Sequence, residues 1–486
     1  MRKPLRQMKK LDKYSKTFSK LDISESMRNS LPKLKKFSQS SLKKNIGGLS
    51  WNPEGKVLDV VGTIVEANLP KSRLGMVTEI GSPGQTPIYA EVVGFKGQRS
   101  LLIPYSHMVG ISSGASVKPQ QLFDRIPVGD FLLGQVIDPF FKSLTQKKLK
   151  IPETSIYFPL ERQAPNPMER QRIESFLPLG IRSIDGILTF GEGQRTGIFA
   201  GSGVGKSVLL GMIAKGGQAD INVIGLIGER GREVREFLER DLGAEGLKKS
   251  IVVCVTSDQS PLMRLRAANM VTAIAEYFSG RGKKVLLMMD SLTRVAQAQR
   301  EIGLAIGEPP TSKGYPPSVY SLLPRLLERC GPQAHGKGSI SGLYTVLVDG
   351  DDFNDPIPDT ARGILDGHIN LSRSLAIKGH FPAIEINTSA SRVMRDIVSK
   401  EHWKLALEFK ELMGLYEENL DFINLGQYQI GTNPKLDRAI KLMPEIEKYL
   451  KQDVDDLTSP EQAISGLIAI NKYQFEIDEQ FSTAPQ

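Results

Sequence analysis

The sequence has few of the features that mark secreted or membrane-spanning chains. Its 486 residues include two cysteines, Cys254 and Cys330, which lie far apart and lack the spacing of metal ligands. We therefore expect reduced thiols in the protein core rather than disulfides or a metal centre. The longest uninterrupted aliphatic run covers residues 285–289, which is far too short to span a bilayer. No apolar segment follows the basic N-terminus, so we also expect no secretory signal.

Acidic residues are scarce in the first 50 positions, which hold three of them beside fourteen lysines and arginines. This segment therefore carries a charge of +11, whereas the rest of the chain sums to about −2. Because the body is nearly neutral, the overall basicity does not indicate nucleic-acid binding. Apolar residues recur at three- and four-residue steps from Leu5 to Leu21, which predicts a basic amphipathic helix. Such a helix could dock a partner or an anionic membrane, and a solvated tail is the alternative.

Three regions with different secondary-structure patterns follow this arm. Helical periodicity is absent from about residue 56 to residue 122, where β-rich runs at 57–65 and 87–95 are broken by Gly and Pro turns. This pattern predicts a small β-barrel. From about Phe176 strand-type and helix-type segments alternate, which indicates a mostly parallel sheet covered by helices. Beyond about Lys400 the strand signals fade and helical segments dominate.

The predicted elements of the central region are specific enough to place motifs on them. The expected strands are 195–200, 221–228, 251–256, 285–290 and 345–348. One helix should begin at Lys206 and end near Gly216, and another should run to Phe278 from Ser260 as N-cap with Pro261 at its first position. In the last region, segments 402–416 and 434–450 are typical of helices.

A glycine-rich segment joins the strand at 195–200 to the helix that begins at Lys206, which is the context of a phosphate-binding loop. Its glycines let successive backbone N–H groups face an anion, and the helix N-terminus adds partial positive charge. Lys206 would reach the β- and γ-phosphates, and Ser207 would offer a hydroxyl to Mg²⁺. Ala200 departs mildly from the strict pattern, which has Gly there. The predicted nucleotide-binding residues are Gly201, Ser202, Gly203, Val204, Gly205, Lys206, Ser207 and Val208.

Two further predicted strands end in acidic residues. Asp290 follows the run 285–289, and its carboxylate can hold Mg²⁺ directly or through water. Glu229 follows the run 221–228 and can orient or deprotonate an attacking water. Each acid alone could equally cap a helix, but ligands of α/β sheets bind beyond the carboxyl ends of the strands, and three such ends favour a functional site. The sequence therefore predicts ATP binding with Mg²⁺, followed by hydrolysis.

The order of motifs over residues 51–450 resembles the ATPases of type III protein export, which are relatives of the catalytic subunits of rotary ATP synthases. The motifs that carry the resemblance are 199–207, 228–233, 289–294, 307–310, 315–318, 349–352, 364–369 and 391–394. The runs 305–310 and 359–366 resemble the flagellar branch more than the virulence-injection branch. The implied fold is α/β, a RecA-like P-loop ATPase core with an N-terminal β-barrel and a C-terminal helical domain. The predicted divisions are a basic, partly helical arm at 1–50, the barrel at 51–125, the ATPase domain at 126–395 and the helical domain at 396–486.

The resemblance also implies roles that spacing alone could not assign. Glu229 matches the catalytic glutamate of the family, Asp290 its magnesium-side aspartate, and Arg230 and Arg294 two arginines near the phosphates. Arg392 matches an arginine finger that acts on the nucleotide of a neighbouring subunit; without the resemblance, a surface ion pair would be the simpler interpretation. A finger is physically reasonable because its guanidinium can meet charge that develops on phosphate oxygens.

Two local features differ between this chain and its relatives. Phe381 stands where many relatives have a tyrosine that stacks on adenine, and an ordinary core aromatic is the alternative. Residues 138–144 replace a turn that usually contains glycine, which leaves the conformation of that loop open.

The resemblance implies partners as well. It predicts a ring of identical subunits, with a hexamer expected, at the cytoplasmic face of a membrane-embedded export gate. Export chaperones and their cargo would be its clients, and a stalk-like regulatory protein would dock on the arm, within residues 1–24. No nucleic-acid partner is expected.

Other functions fit parts of the pattern. They are a virulence-injection ATPase, a rotary ATP synthase catalytic subunit, an RNA-translocating ring ATPase and a nucleotide-binding subunit without activity. The block at 307–310 and the basic arm disfavour the rotary subunit, and residues 51–125 lack the aromatic-interleaved basic patch of a single-strand-binding barrel. Lys206, Glu229 and Asp290 together disfavour an inactive subunit.

Overall fold

The computed structural model of the chain describes residues 54–81, 86–120, 124–145, 148–348, 350 and 355–482, with side chains up to Lys472. The arm at 1–50 and its predicted docking helix lie outside these residues. Among the helices that are described, none combines the length and the apolarity needed to cross a membrane. Contacts divide the chain into one unit that ends at Phe123 and a second that begins at Asp124.

The first unit is a closed antiparallel barrel with strand order β1-β2-β5-β4-β3-β6. Its strands are β1 (Gly55–Val61), β2 (Ile64–Asn68), β3 (Val77–Gly81), β4 (Ile88–Lys96), β5 (Arg99–Pro104) and β6 (Ser116–Pro119). Small and branched side chains such as Val65, Ala90 and Leu102 fill the interior. The predicted run 57–65 is two strands, because Gly62 adopts a positive φ of 60° and turns the chain between them.

The second unit contains the remaining strands, most of which form one large sheet. They are β7 (Arg125–Val128), β8 (Val136–Ile137), β9 (Ile156–Pro159), β10 (Arg195–Ala200), β11 (Ile221–Glu229), β12 (Ser250–Thr256), β13 (Lys284–Asp290), β14 (Gly331–Pro332), β15 (Ser339–Leu347), β16 (Gly367–Leu371) and β17 (Ile384–Ser391). The sheet order is β17-β16-β10-β15-β13-β11-β12-β8, with β14 beside β15 and with β7 and β9 paired separately. Neighbours from β16 to β8 are parallel, whereas β17 and β14 are antiparallel to their partners.

Helices cover this sheet and form the C-terminal part of the unit. They are α1 (Arg182–Ile187), α2 (Lys206–Gly216), α3 (Gly231–Glu236), α4 (Gly243–Lys248), α5 (Pro261–Gly280), α6 (Leu292–Ala305), α7 (Pro317–Leu327), α8 (Pro356–Ile364), α9 (Arg373–Ile377), α10 (Met394–Ile397), α11 (Lys400–Glu418), α12 (Leu420–Asn424), α13 (Pro434–Leu450) and α14 (Pro460–Ser482). A π-helical turn, Phe237–Leu242, connects α3 to α4. As predicted, α5 begins with Ser260 as N-cap, whose side chain accepts from Met263 N, and with Pro261 at its first position.

The C-terminal helices pack closely on the sheet region. Tyr449 of α13 donates to the carbonyl oxygens of Arg182 (3.2 Å) and Ala463 (2.9 Å). His402 of α11 lies 2.6 Å from the carbonyl oxygen of Gly186. These contacts place α11, α13 and α14 against α1 in a core continuous with that of the sheet. The division predicted at 395/396 therefore stays a prediction, since Asp124–Gln486 forms one contact unit.

Both cysteines are buried free thiols, as the sequence predicts. Burial raises the pKa of Cys254 to about 12 and that of Cys330 to about 11. Neither thiol is therefore ionised at neutral pH, which makes both poor nucleophiles.

The loop that departs from the family pattern closes without glycine. Oδ1 of Asp138 accepts hydrogen bonds from the backbone N–H groups of Phe140 (2.9 Å) and Lys142 (2.8 Å). Phe141 takes a positive φ of 62°, a conformation that usually belongs to glycine. The side chain of Asp138 thus stabilises a turn whose backbone the sequence alone could not specify.

Candidate functional site

The phosphate-binding loop joins β10 to α2 in the context that the sequence predicts. Gly203 and Gly205 have φ values of 80° and 89°, which L-residues with side chains rarely adopt. Ser202 and Gly203 are exposed, whereas Val204 is buried and anchors the loop to the core. The loop thus exposes Ser202 and Gly203 at the N-terminus of an 11-residue helix, a place that suits an anion.

Two predicted catalytic residues, Lys206 and Glu229, and the predicted metal ligand Asp290 meet beside this loop. Nζ of Lys206 lies 2.5 Å from Oδ1 of Asp290 and 3.5 Å from Oε1 of Glu229. The side chains are only 12%, 5% and 14% exposed, respectively. They converge because β10, β11 and β13 are parallel, so that their carboxyl ends share one edge of the sheet. The cluster is therefore a largely buried charge centre with one cation and two carboxylates.

The charges of this centre perturb one another. Burial raises the pKa of Glu229 to about 7, and the nearby Asp290 carboxylate adds to the increase. Burial acts to lower the pKa of Lys206, but the two carboxylates outweigh it and the pKa is raised. Lys206 therefore stays charged, while Glu229 has a proton affinity suited to accepting a proton near neutral pH.

Asp290 has a further partner that the sequence analysis did not identify. Thr345 of β15 donates from Oγ1 to Oδ1 of Asp290, at 2.6 Å, and is completely buried. A threonine among the hydrophobic residues 343–348, in the strand next to that of Asp290, is the sequence signal that could have revealed it.

The predicted metal ligands fit Mg²⁺ by their chemistry. Ser207 offers a hydroxyl oxygen in the first turn of α2, and Asp290 offers a buried carboxylate at the end of β13. Hard oxygen donors of these kinds, few in number, are typical of sites that bind Mg²⁺ together with substrate phosphates.

The two arginines expected near the phosphates are placed differently. Arg294, at the start of α6, packs its aliphatic part near Gly228 and donates to Oε1 of Gln297 at 2.9 Å. Arg230 is 75% exposed and pairs with Glu233 at 3.1 Å. Arg294 therefore lies against the end of the Glu229 strand, whereas Arg230 is largely exposed and paired with Glu233.

Phe381 and Val208 flank the loop in different ways. Phe381 is 46% exposed as a residue, and its ring lies 3.6 Å from the position that a Cβ atom would take on Gly205. Its backbone oxygen accepts from the N–H of Gln452 at 2.9 Å, which fixes the chain below the ring. Val208 is partly buried against the hydrophobic core. An exposed aromatic face beside the phosphate loop is suited to stacking on a base.

Arg392 lies at the opposite edge of the sheet. It follows β17, which is antiparallel to β16, and its neighbour Ser391 pairs with Gly367 at the start of β16. Its backbone N–H donates to the carbonyl oxygen of Asp366 at 3.0 Å, and its exposed guanidinium donates to that of Arg362 at 3.1 Å. With about 3.3 Å per residue along β10, about 17 Å of strand separates this edge from the loop. Arg392 therefore cannot reach the phosphate loop of its own chain.

The fold and this site define a P-loop ATPase of the ATP synthase type. The family model "ATP synthase alpha/beta family, nucleotide-binding domain" matches residues 180–391. A second model, the "T3SS EscN ATPase C-terminal domain", matches residues 398–469.

Individual relatives narrow the family further. The "Flagellum-specific ATP synthase" of Bacillus subtilis (strain 168) is 52% identical over 87% of this chain and 96% of its own length. The "Type 3 secretion system ATPase" of Xanthomonas euvesicatoria is 48% identical over 86% and 93%. The solved structure of the assembled ATPase EscN from enteropathogenic E. coli is 46% identical, with a TM-score of 0.80 over 86% of this chain and 99% of that chain. The chain belongs to this family of flagellar and type III secretion ATPases.

Family membership confirms several predictions made from the sequence. The α/β fold, with its RecA-like core, barrel and helical C-terminal region, is confirmed. The protein is an ATPase. The match to a type III secretion C-terminal domain favours export ATPases over rotary synthase subunits. The roles of the individual site residues stay predictions.

Proposed function

We propose that the protein hydrolyses ATP to drive protein export through a type III apparatus of the flagellar kind, as a ring of identical subunits at the cytoplasmic face of the export gate. The observation that carries the proposal is the separation of Arg392 from the cluster of Lys206, Glu229 and Asp290. A complete site requires both, so it needs two copies of the chain.

The cluster supplies the residues for in-line attack of water on the γ-phosphate. Glu229 positions the water and accepts its proton as the new oxygen–phosphorus bond forms and the bond to the β–γ bridging oxygen breaks. Lys206 leaves its carboxylate partners for the phosphate oxygens, and Arg294 approaches them from the start of α6. Mg²⁺, held by Ser207 and Asp290, would neutralise charge on the phosphates. Phe381 would hold the adenine against the loop.

The second half of the site would come from the neighbouring subunit. Arg392 is exposed at this edge of the sheet, and its guanidinium donates to the carbonyl oxygen of Arg362. A guanidinium offered in this way can meet charge on the transferring phosphoryl group of a neighbour. The structural relative EscN is described as an assembled ATPase, which supports a ring for this chain.

A mixing experiment tests the composite site. Arg392→Ala keeps the loop but lacks the finger, and Lys206→Ala keeps the finger but lacks the loop. Each variant alone should show almost no turnover, while a mixture should regain a measurable fraction, because some interfaces pair an intact loop with an intact Arg392. The control replaces the Lys206→Ala partner with the double variant, which should restore nothing. Failure of the mixture to exceed its separate components would refute the shared site.

The flagellar assignment rests on the sequence runs described above and on relatives such as that of Bacillus subtilis. Deleting the gene in its host should stop export of flagellar filament protein, and the wild-type gene should restore it whereas Lys206→Ala should not. Normal filaments together with loss of injected effectors would assign the chain to the virulence branch instead.

The stalk and the clients form a separate part of the proposal. A second EscN structure contains its central stalk EscO, which supports a stalk-like partner for this chain. We place that contact on residues 1–24, and chaperone–cargo complexes and the export gate are the remaining partners. Removal of residues 1–24 should abolish capture of the stalk-like protein in a pull-down, with full-length protein as control; undiminished capture would contradict the assignment.

A further inference from the structure

Thr345 occupies an unusual position in the sheet. It lies on β15, between the strand that leads into the phosphate loop and the strand that ends in Asp290. The register pairs Met289 with Tyr344 and Ile198 with Thr345, so Asp290 is level with Thr345 on the neighbouring strand. Its side chain is wholly buried.

A buried hydroxyl in the middle of a sheet requires a hydrogen-bond partner. Removing a hydroxyl from water is unfavourable unless it forms a hydrogen bond, and valine has nearly the same shape without that requirement. The bond from Oγ1 of Thr345 to Oδ1 of Asp290 is 2.6 Å long, and the Met289 carbonyl oxygen lies farther away at 3.4 Å. The main hydrogen bond of the Thr345 hydroxyl is therefore the one to the Asp290 carboxylate.

The same oxygen of Asp290 also binds Nζ of Lys206. Once Lys206 turns to the phosphates of a nucleotide, this partner is lost, and the Thr345 hydroxyl still holds Oδ1. We infer that Thr345 is a positioning residue: it fixes the rotation of the Asp290 carboxylate in the nucleotide-bound protein and thereby sets the affinity for the magnesium of the nucleotide. This inference rests on the proposed function of the site.

The test compares nucleotide binding with and without magnesium. ADP binding to Thr345→Val is measured by calorimetry in EDTA and then over a series of Mg²⁺ concentrations. The half-saturating Mg²⁺ concentration should rise about tenfold, as is usual when a residue that orients a metal ligand is removed. Affinity for ADP in EDTA should stay within about twofold of the wild type, because Thr345 acts only through Asp290.

Two further variants separate positioning from packing. Thr345→Ser keeps the hydroxyl and should restore the Mg²⁺ dependence to within about twofold of the wild type. Thr196→Val is the matched control: this threonine is also buried, on the adjacent β10, and its hydroxyl has no hydrogen-bond partner in the described structure. Thr345→Ala gives the same comparison with a smaller side chain if the valine variant does not fold.

The outcomes are distinct. An unchanged Mg²⁺ dependence in a folded Thr345→Val or Thr345→Ala, or an equal loss of affinity with and without Mg²⁺, would overturn the positioning role and leave the proposed function intact. Absence of Mg²⁺-dependent ADP binding in the wild-type protein would overturn both.

Discussion

Nζ of Lys206 and Oδ1 of Asp290 form an ion pair of 2.5 Å at the carboxyl edge of the sheet, beside the phosphate-binding loop. Both side chains are almost fully buried, so each neutralises a charge that would otherwise be costly there. Lys206 is thus held by two carboxylates at the start of the helix that follows the loop. Several predictions about individual residues depend on this arrangement.

Replacing Lys206 should greatly reduce ATP turnover, because both the charge and the shape of its side chain matter. Lys206→Ala should reduce turnover at least about 100-fold, because the charge that meets developing phosphate charge is lost. Lys206→Arg should not restore activity, since a planar guanidinium does not replace a compact ammonium in this crowded site. Steady-state phosphate release measures both. Lys215→Ala, in the last turn of the same helix, is the control and should retain near-normal turnover.

Glu229 should make the folded protein less stable as the pH rises. Its pKa is about 7 in the folded protein against 4.5 for an ordinary glutamate. Between these two pH values the folded protein holds the Glu229 proton and the unfolded chain does not. The contribution of Glu229 to the free energy of unfolding is therefore greatest below about pH 4.5, decreases up to about pH 7 and is constant above that. The decrease should be on the order of 3 kcal/mol.

Urea unfolding of the nucleotide-free protein at pH 5 and pH 8 tests this, with Glu229→Gln as reference. The free energy of unfolding of the wild type should fall relative to that of the Gln variant between these values. Asp185, whose pKa burial raises to about 7, contributes equally to both proteins and cancels. Parallel pH profiles for the two proteins would show that Glu229 titrates normally.

Phe381 should contribute to nucleotide binding through its face alone. Phe381→Ala should weaken ADP binding about threefold to tenfold, in line with the loss of one stacking contact of about 1 kcal/mol. Phe381→Tyr, which restores the hydroxyl of many relatives, should bind ADP within about twofold of the wild type. Calorimetry in EDTA measures this without involving Asp290. If Phe381→Ala binds ADP as tightly as the wild type, Phe381 does not stack on adenine and is an ordinary structural aromatic.

Phe141 should carry a backbone cost that glycine relieves. Because its φ is 62°, Phe141→Gly should be more stable than Phe141→Ala by about 1 kcal/mol, although both remove the ring. The same pair of changes at neighbouring Phe140, which is not among the residues with positive φ, should give the opposite order. Urea denaturation measures all four variants, and an Ala variant of Phe141 at least as stable as its Gly counterpart would contradict the argument.

Much of the site could be predicted from local patterns. The sequence around Lys206 specifies a strand, a glycine turn and a helix, because left-handed φ values at Gly203 and Gly205 and a helix that begins at Lys206 are properties of neighbouring residues. Glu229 and Asp290 could be placed beside it because parallel strands present their carboxyl ends at one edge. The roles of Arg392 and Phe381 depended on family resemblance.

Tertiary structure decided the rest, and the reason is distance along the chain. The bond between Thr345 and Asp290 joins residues 55 positions apart through the order of β13 and β15, which no local pattern encodes. The same holds for Arg392, which the antiparallel β17 returns to the far edge of the sheet. Local sequence predicted which groups would bind phosphate; only the strand order determined that Thr345 holds Asp290 and that Arg392 lies at the far edge of the sheet from the loop of its own chain.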